Sequence, residues 1–268
     1  MTRATNAFGI TRTSSVVFID AHPGSHIRAC AGAMLLARRL GAKIAVVEAC
    51  DGAAMVDKES EGPAMAVRRR KEIRSAMNIL GLPPESLYLL GFPDGGLEPL
   101  RHDYWRATGR PYFCPWLKAD RVASPDAWRG GLEFFGERFF ALLKDLLAQT
   151  RPTHVFAHHC RDTHMDHRAV NWFVKKALGN LHADRHLRQL PTLFEWITYY
   201  TRLPWPPAGS DIPLAAAARL PFPGRIVRYV PPAVDRKAKV KAWKEFLPSH
   251  GARYVKRWTR KAEVFWVQ

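Results

Sequence analysis

Long hydrophobic runs are missing from this 268-residue chain, although 47% of its residues are hydrophobic. No apolar stretch approaches the roughly 20 residues that a membrane-spanning helix needs, so the sequence predicts no such helix. The first residues, Met1–Asn6, lack the apolar centre of a signal peptide, and we therefore expect a cytoplasmic protein. No repeat, low-complexity block or linker divides the chain, which we interpret as a single domain over residues 1–268.

Cysteine is also scarce, with four residues that share no paired spacing: Cys30, Cys50, Cys114 and Cys160. Zinc-binding cysteines usually come in closely spaced pairs, and disulfides belong to exported proteins. We therefore expect buried, reduced thiols rather than a cysteine-based metal site.

Acidic residues are outnumbered, with 24 Asp and Glu against 41 Lys and Arg, which gives a net charge of +17. Such an excess attracts polyanions, including nucleic acid, anionic lipid and phosphorylated sugars. The basic residues are spread along the chain, and no zinc-finger, RNA-binding or heptad-backed basic motif is present. A nucleic-acid partner is not expected, whereas contact with an anionic membrane surface remains an alternative.

The pattern of strands and helices predicts an α/β fold with a mostly parallel sheet. The apolar run Val16–Ile19 is followed by a loop, a helix and a second apolar run, which is typical of a right-handed parallel crossover. The predicted strands are 16–19, 43–47, 86–90, 153–158, 193–201 and 225–230, and the predicted helices are 28–40, 64–80, 132–148, 168–178 and 237–246. Residues 1–14 are interpreted as a loose arm, and residues 99–130 as an irregular insertion or lid.

Two histidine-rich loops follow predicted strands. Residues 20–26 (Asp-Ala-His-Pro-Gly-Ser-His) follow the first strand, and residues 163–167 (Thr-His-Met-Asp-His) follow the fourth. Ligands of open α/β sheets bind beyond the carboxyl ends of the strands. We therefore expect the two loops to meet and to form one polar site.

Four motifs, in the same order along the chain, resemble those of the PIG-L or LmbE-like de-N-acetylases. The first is Ala21-His22-Pro23, and the second is the helical Arg69-x-x-Glu72. The third is Pro93-Asp94-Gly95 after a strand, and the fourth is His164-Met165-Asp166-His167; Asp235-Arg236-Lys237 also fits the usual ending.

This resemblance implies a Rossmann-like three-layer fold that holds one zinc ion. In the family, zinc is bound by the His and the second Asp of a His-Pro-Asp-Asp motif and by the last His of His-x-Asp-His. The first Asp is the general base, and the substrate is typically an N-acetylated amino sugar or a related amide. Three protein ligands leave a position for water, whose pKa zinc lowers towards about 7.

Carried over to this chain, the resemblance makes His22 and His167 metal ligands. It makes His164 the group that stabilises the oxyanion, and we place Asp166 beside it among the catalytic candidates. Arg69 and Asp94 match positions that contact substrate, because a guanidinium and a carboxylate suit sugar hydroxyls and phosphates.

The first motif departs from the family pattern at three consecutive positions. Gly24 stands at the base position, Ser25 at the Asp ligand position and His26 at the Glu position. A site of His22, His26 and His167 would replace the missing ligand, since imidazole suits zinc. Asp162, His159 and Asp20 are the alternatives for a replacement base.

Two functions follow from this departure. One is a divergent hydrolase that removes an acyl group from an amino sugar or an anionic glycoconjugate. The other is a pseudoenzyme that has lost metal and binds a sugar-like or phosphorylated ligand, or a partner protein. The double change Gly24→Asp with Ser25→Asp is expected to restore metal binding if the rest of the loop has the family geometry.

Overall fold

A seven-stranded sheet forms the centre of the computed structural model, which describes residues 6–200, 203–204, 222, 224–252, 255 and 260–268. Five strands are parallel: β1 (Ser15–Asp20), β2 (Lys43–Cys50), β3 (Leu87–Phe92), β4 (His154–His158) and β5 (Thr192–Trp196). The short strands β6 (Tyr199–Tyr200) and β7 (Leu203–Pro204) form a separate antiparallel pair. Strands β8 (Arg225–Tyr229) and β9 (Glu263–Val267) extend the sheet antiparallel, in the order β3-β2-β1-β4-β5-β9-β8.

The described helices are α1 (Ser25–Arg39), α2 (Gly62–Ile79), α3 (Leu97–His102), α4 (Gly136–Thr150), α5 (Met165–Ala183), α6 (Ala233–Lys244) and α7 (Leu247–His250). Alternate residues of β1 face opposite layers, as the two-residue period of a strand requires. Val16 and Phe18 pack with α1, α2 and α6, whereas Val17 and Ile19 pack with α3, α4 and α5. Burial on both faces explains why β1 is a continuous apolar run, and the predicted three-layer α/β fold is confirmed.

The chain order of the strands places one crevice in the sheet. From β1 the chain moves outward through β2 and β3, and then returns to β4 on the other side of β1. Loops that leave neighbouring strands in opposite directions open a crevice at their carboxyl ends. The two histidine-rich loops follow β1 and β4, so both lie at this switch point.

Several predicted elements differ in extent. Helices α1, α5 and α6 each begin three or four residues before their predicted starts, and α4 begins four residues after. The predicted strand 193–201 is interrupted after Trp196, because the backbone N–H of Thr198 turns to donate to Asp162. Thr201 lies outside the described residues.

The C-terminal tail forms a strand that the sequence did not predict. Phe265 and Trp266 lie in β9 and are buried, which confirms that they are packing residues; Trp258 lies outside the described residues. Cys30, Cys50 and Cys114 are buried free thiols as expected, whereas Cys160 is exposed. Among the described helices, none is both long and apolar enough to cross a bilayer.

The predicted irregular insertion at 99–130 begins within a helix, because its first residues belong to α3 (Leu97–His102), whereas residues 103–135 contain no helix or longer strand. Two isolated bridges stabilise the segment, Cys114 with Ala119 and Arg121 with Glu133. The backbone N–H of Trp128 donates to Leu89, which anchors the segment on the edge strand β3.

The N-terminal segment is not a loose arm over its described part. Phe8 and Ile10 are buried, and the ring of Phe8 makes edge contacts with Phe156, Phe194, Tyr229 and Phe265 at centroid distances of 5.2–5.5 Å. Residues 6–14 therefore cover one face of the sheet where β4, β5, β8 and β9 meet.

Replacing Phe8 with Ala should lower the free energy of unfolding by about 3–5 kcal/mol, because it leaves a cavity among four aromatic rings. Urea denaturation checks this. Phe113→Ala is the matched control, since Phe113 is 59% exposed and its loss should change stability by less than about 0.5 kcal/mol. Equal effects of the two changes would contradict the packing of the N-terminal segment.

Candidate active site

His22 lies in the turn between β1 and α1. Its backbone N–H donates to the Asp20 carboxylate at 3.3 Å, and Pro23 and Gly24 then lead the chain into the helix. Gly24 has a φ of 114°, a left-handed conformation that side-chain-bearing residues rarely adopt. This turn directs the His22 ring to the carboxyl ends of the strands.

His164 and His167 lie at the start of α5. The Asp162 carboxylate accepts hydrogen bonds from the backbone N–H groups of His164 (2.9 Å), Thr198 (2.6 Å) and Tyr199 (3.1 Å). One buried carboxylate thus joins the loop after β4 to the end of β5 and fixes where α5 begins.

The two loops meet as the sequence predicts. His22 Nδ1 lies 3.3 Å from His167 Nε2, and His164 packs beside both rings at centroid distances of 4.8 and 4.5 Å. The outer nitrogens of the pair face carboxylates. His22 Nε2 lies 2.9 Å from Asp94 Oδ1 and 3.0 Å from Asp166 Oδ2, and His167 Nδ1 lies 3.1 Å from Asp162 Oδ1.

Asp166 links the His22 turn to the turn after β3. Besides facing His22, its carboxylate accepts the backbone N–H groups of Gly95 at 2.7 Å and Leu97 at 3.0 Å. It therefore fixes the turn that carries Asp94 relative to His22.

The charges of the site are uneven. Burial alone would lower the pKa of His22, but Asp94 and Asp166 raise it well above its usual range. Burial opposes ionisation of Asp94, yet the contact with His22 lowers its pKa to about 2. Burial and the neighbouring imidazoles lower the pKa of His164 to about 3 and that of His167 to about 4. At neutral pH, a protonated His22 therefore faces two neutral imidazoles.

His26 does not join His22 and His167, so the predicted set of three histidines is not the set that the fold brings together. The side chain of His26 is buried under α1, and its Nδ1 lies 2.9 Å from Asp20 Oδ2. The ligand atoms of His22, His164 and His167 instead lie within 4.8 Å of one another.

The base position of the family is filled by an aromatic ring. A Cβ atom built on Gly24 would lie 2.9 Å from the ring of Phe246, which is completely buried after α6. An aspartate at position 24 would need both a strained backbone and a displaced ring. The expected rescue by Gly24→Asp with Ser25→Asp therefore meets a steric obstacle that the sequence did not reveal.

These groups surround a cavity of about 160 Å³. Its lining residues are His22, Pro23, Ser25, Arg28, Gly52, Met55, Arg69, Asp94, His164, His167, Tyr199, Trp243 and His250. Among the residues that the structure describes, Asp94 is the only carboxylate in this lining, and none of the three alternative bases, Asp162, His159 and Asp20, contributes to it. The insertion at residues 99–130 does not line it either.

Arg69 forms one wall of the cavity and is itself buried. Its guanidinium donates to the carbonyl of Pro23, to Glu72 at 3.2 Å and to Ser249 at 2.8 Å, and its Nη1 lies 2.9 Å from His250 Nδ1. It therefore joins α2, the His22 turn and α7.

Trp243, Phe246 and His250 are site residues that sequence reasoning missed. All three follow β8, far from the histidine motifs along the chain, and no local pattern marks them as site residues. Arg28 carried a signal, because it lies one helical turn after Ser25 and so shares its side of α1.

The fold and the site together define a Rossmann-like α/β protein with a histidine–carboxylate centre at the switch point of its sheet. The sequence model of the family described as PIG-L, GlcNAc-PI de-N-acetylase, matches residues 17–178, which is more than half of the chain. The chain therefore belongs to the PIG-L family, a family of hydrolases that act on amide bonds. No curated protein matches the sequence significantly.

Solved structures share the fold at low sequence identity. An N,N'-diacetylchitobiose deacetylase from Pyrococcus horikoshii has a TM-score of 0.60 at 16% identity, covering 95% of this chain and 84% of its own. A 4-carboxy-2-hydroxymuconate hydratase from Pseudomonas putida has a TM-score of 0.58 at 13% identity, covering 96% and 95%. A zinc-inhibited form of a teicoplanin deacetylase has a TM-score of 0.55 at 14% identity, covering 94% and 97%.

Replacing Asp94 with Asn should lower the pKa of His22, because it removes the carboxylate that contributes most to keeping this imidazole protonated. NMR titration of the histidine ring signals in chelator-treated protein measures the change. Asp120→Asn is the control, since Asp120 is a surface residue paired with Arg121. An unchanged titration of His22 in Asp94→Asn would contradict the ion pair described above.

Proposed function

We propose that this protein is a divergent zinc-dependent de-N-acetylase that acts on an N-acetylated amino sugar or a related glycoconjugate amide. The observation that carries the proposal is the 3.3 Å separation of His22 Nδ1 and His167 Nε2, with carboxylates behind both rings. Family membership supports the same reaction class.

The residues present fit a zinc ion. Two nitrogens bound to one tetrahedral zinc at about 2.0–2.1 Å lie about 3.3 Å apart. His22 Nδ1 and His167 Nε2 are separated by this distance. Metal-bound histidines usually donate their other N–H to a carboxylate, as Asp94, Asp166 and Asp162 are placed to accept. His164 supplies the third nitrogen within reach, and its buried Nδ1 has no hydrogen-bond partner among the described residues.

This ligand set gives His164 a metal-binding role in place of the oxyanion role that the resemblance implies. Ser25 lines the cavity at the family's Asp ligand position, but its neutral hydroxyl is a poor zinc ligand. His164 therefore compensates for the carboxylate that the first motif has lost.

When bound, zinc supplies polarisation of the amide carbonyl and a water of lowered pKa. The chain's own residues orient the metal ligands and accept the proton. Asp166 and Asp162 orient the imidazoles, and Asp94 is the carboxylate available in the cavity lining to accept a proton. Since Asp94 is also held by His22, we expect slow turnover rather than efficient catalysis.

Charge favours an anionic substrate. Arg28 and Arg69 both line the cavity, and guanidinium groups suit phosphate and carboxylate groups. The outer side of α6, with Arg236, Lys237, Lys241 and Lys244, offers a basic surface to an anionic membrane or to the rest of such a substrate.

The ring of Phe246 favours a second candidate function. A Cβ atom at position 24 would lie 2.9 Å from this ring, which leaves little room for a general base there. The same cleft would therefore suit a pseudoenzyme that binds a sugar-like ligand without hydrolysing it. The hydratase among the structural neighbours is a further reason to measure the reaction directly.

The purified chain should contain zinc at the three imidazoles, and His22→Ala, His167→Ala and His164→Ala should each remove one equivalent relative to the parent. Elemental analysis measures the metal, and release of primary amine from N-acetylglucosamine, diacetylchitobiose and uridine diphosphate N-acetylglucosamine measures the reaction. Turnover in the ligand variants should fall by about 100-fold or more, corresponding to about 2.7 kcal/mol.

His102→Ala is the matched control, because His102 is exposed on α3 and should change neither reading. Zinc that persists in His164→Ala but not in His167→Ala would return His164 to the oxyanion role. Parent protein that binds these sugars with zinc in place but releases no amine would contradict the hydrolase and support the pseudoenzyme.

The single change Ser25→Asp should tighten zinc binding by about tenfold or more, equivalent to about 1.4 kcal/mol, because it returns a carboxylate ligand at a position that lines the cavity. Competition with a fluorescent zinc chelator measures the affinity. Gly24→Asp is the contrasting variant, and the ring of Phe246 should prevent any similar gain. Equal affinity in Ser25→Asp and parent would contradict the ligand geometry proposed here.

A further inference from the structure

A second cluster of ligand-type side chains lies beneath the cavity and contributes nothing to its lining. Asp20 is the last residue of β1, Glu48 lies on β2, and His26 is in the first turn of α1. Asp20 and Glu48 are register partners in the parallel pair β1–β2, so the two carboxylates stand side by side on one face of the sheet. α1 covers that face, and all three residues are fully buried.

The geometry of this cluster matches the spacing of ligands on one metal ion. His26 Nδ1 lies 2.9 Å from Asp20 Oδ2 and 3.3 Å from Glu48 Oε1. Nitrogen and oxygen ligands held about 2.0–2.2 Å from a tetrahedral zinc are about 3.2–3.6 Å apart. The contact of His26 with Glu48 already has this length, and the contact of His26 with Asp20 would have to lengthen slightly. One ligand atom from each residue falls within 4.8 Å of those of the other two.

The members of this cluster are unequally satisfied, because Asp20 Oδ2 accepts hydrogen bonds from the backbone N–H of His26 at 2.6 Å and from its Nδ1 at 2.9 Å, whereas no described residue makes such a contact with Glu48. Both carboxylate oxygens of Glu48 and Nε2 of His26 are buried without a hydrogen-bond partner among the described residues. A buried polar group without a partner costs about 1–3 kcal/mol, and a charged one costs more. Glu48 points one of these oxygens at His26, towards the centre of the cluster.

The contacts of the cluster favour a cation. Two carboxylates stand side by side on paired strands, and the oxygens of Glu48 have no hydrogen-bond donor among the described residues. A divalent cation between the carboxylates would offset their mutual repulsion and would give these oxygens a partner.

We propose that Asp20, His26 and Glu48 bind a divalent transition-metal ion, separate from the metal of the cavity. Glu48 contributes one or both oxygens, Asp20 contributes Oδ2, and His26 contributes Nδ1. No described residue of the cluster is exposed, so the ion has a structural role and enters as the chain folds. It fixes β1, β2 and α1 at the point where the His22 turn begins, and it gives His26 a ligand role different from the predicted one.

Metal content and thermal unfolding of the full chain, produced with zinc supplied, test this proposal. Glu48→Gln keeps the shape of the side chain and removes a ligand charge, so it should lose one equivalent of zinc and retain the cavity's zinc. His167→Ala should show the converse, and the double variant should bind none. Glu195→Gln is the matched control, since Glu195 is also fully buried but is held by Asn171 and Lys175.

Chelation should lower the melting temperature of His167→Ala, whose remaining ion is the buried one, and should not lower that of the double variant. Unchanged metal content in Glu48→Gln would overturn the proposal and leave Glu48 as a neutral buried carboxylic acid. If Glu48→Gln fails to fold, cobalt binding by His167→Ala decides the matter. Binding of one equivalent of cobalt with a visible absorption band supports the buried site, and the absence of cobalt binding overturns it.

The outcome does not depend on the proposed hydrolase. If the parent protein holds the buried ion but no metal in the cavity, only the proposed zinc hydrolase is contradicted. If it holds metal in the cavity but none at Asp20, His26 and Glu48, only the buried site is contradicted.

Discussion

The approach of His22 to His167 is the constraint on which the rest of the structure depends. These rings come from loops 145 residues apart, and their nitrogens lie 3.3 Å from each other. Such closeness requires β1 and β4 to be neighbours, and the sheet makes them so by returning from its edge strand β3 to the centre. The switch point brings the two loops together, and the carboxylates behind the rings fix which nitrogens face each other.

Buried charge is concentrated around this point. Asp20, Asp94, Asp162 and Asp166 are all buried, and each accepts hydrogen bonds from backbone N–H groups or imidazoles. Ionised carboxylates in such a place destabilise a protein unless they are paired, and removing one partner is costly. Because the carboxylates and histidines compensate one another, the elements of the site are positioned by polar contacts as well as by apolar packing.

Sequence reasoning located the parts of this site that depend on local pattern. The run Val16–Ile19 and the motif His164–His167 each indicated a strand end, and the parallel topology then required that the loops meet. The same reasoning grouped His26 with His22 and His167, whereas in the structure the ring of His26 contacts Asp20 and Glu48, which are register partners on β1 and β2. Register of this kind depends on which strands pair, and a single sequence does not carry it in any local signal.

Phe246 shows the other limit of sequence reasoning, because it packs against the first motif from a distant part of the chain. Its ring lies against Gly24, 222 residues away along the chain, and within 5.1 Å of the Arg69 guanidinium carbon. A glycine at position 24 is what permits this ring to pack there, and the ring in turn excludes a carboxylate. Through Phe246, the segment after α6 packs against the turn that carries the first motif. The same part of the chain contributes Trp243 and His250 to the cavity lining. Because Gly24 offers no carboxylate and the ring leaves little room for one, a proton acceptor has to come from another element, and Asp94 after β3 is the carboxylate that the described lining supplies.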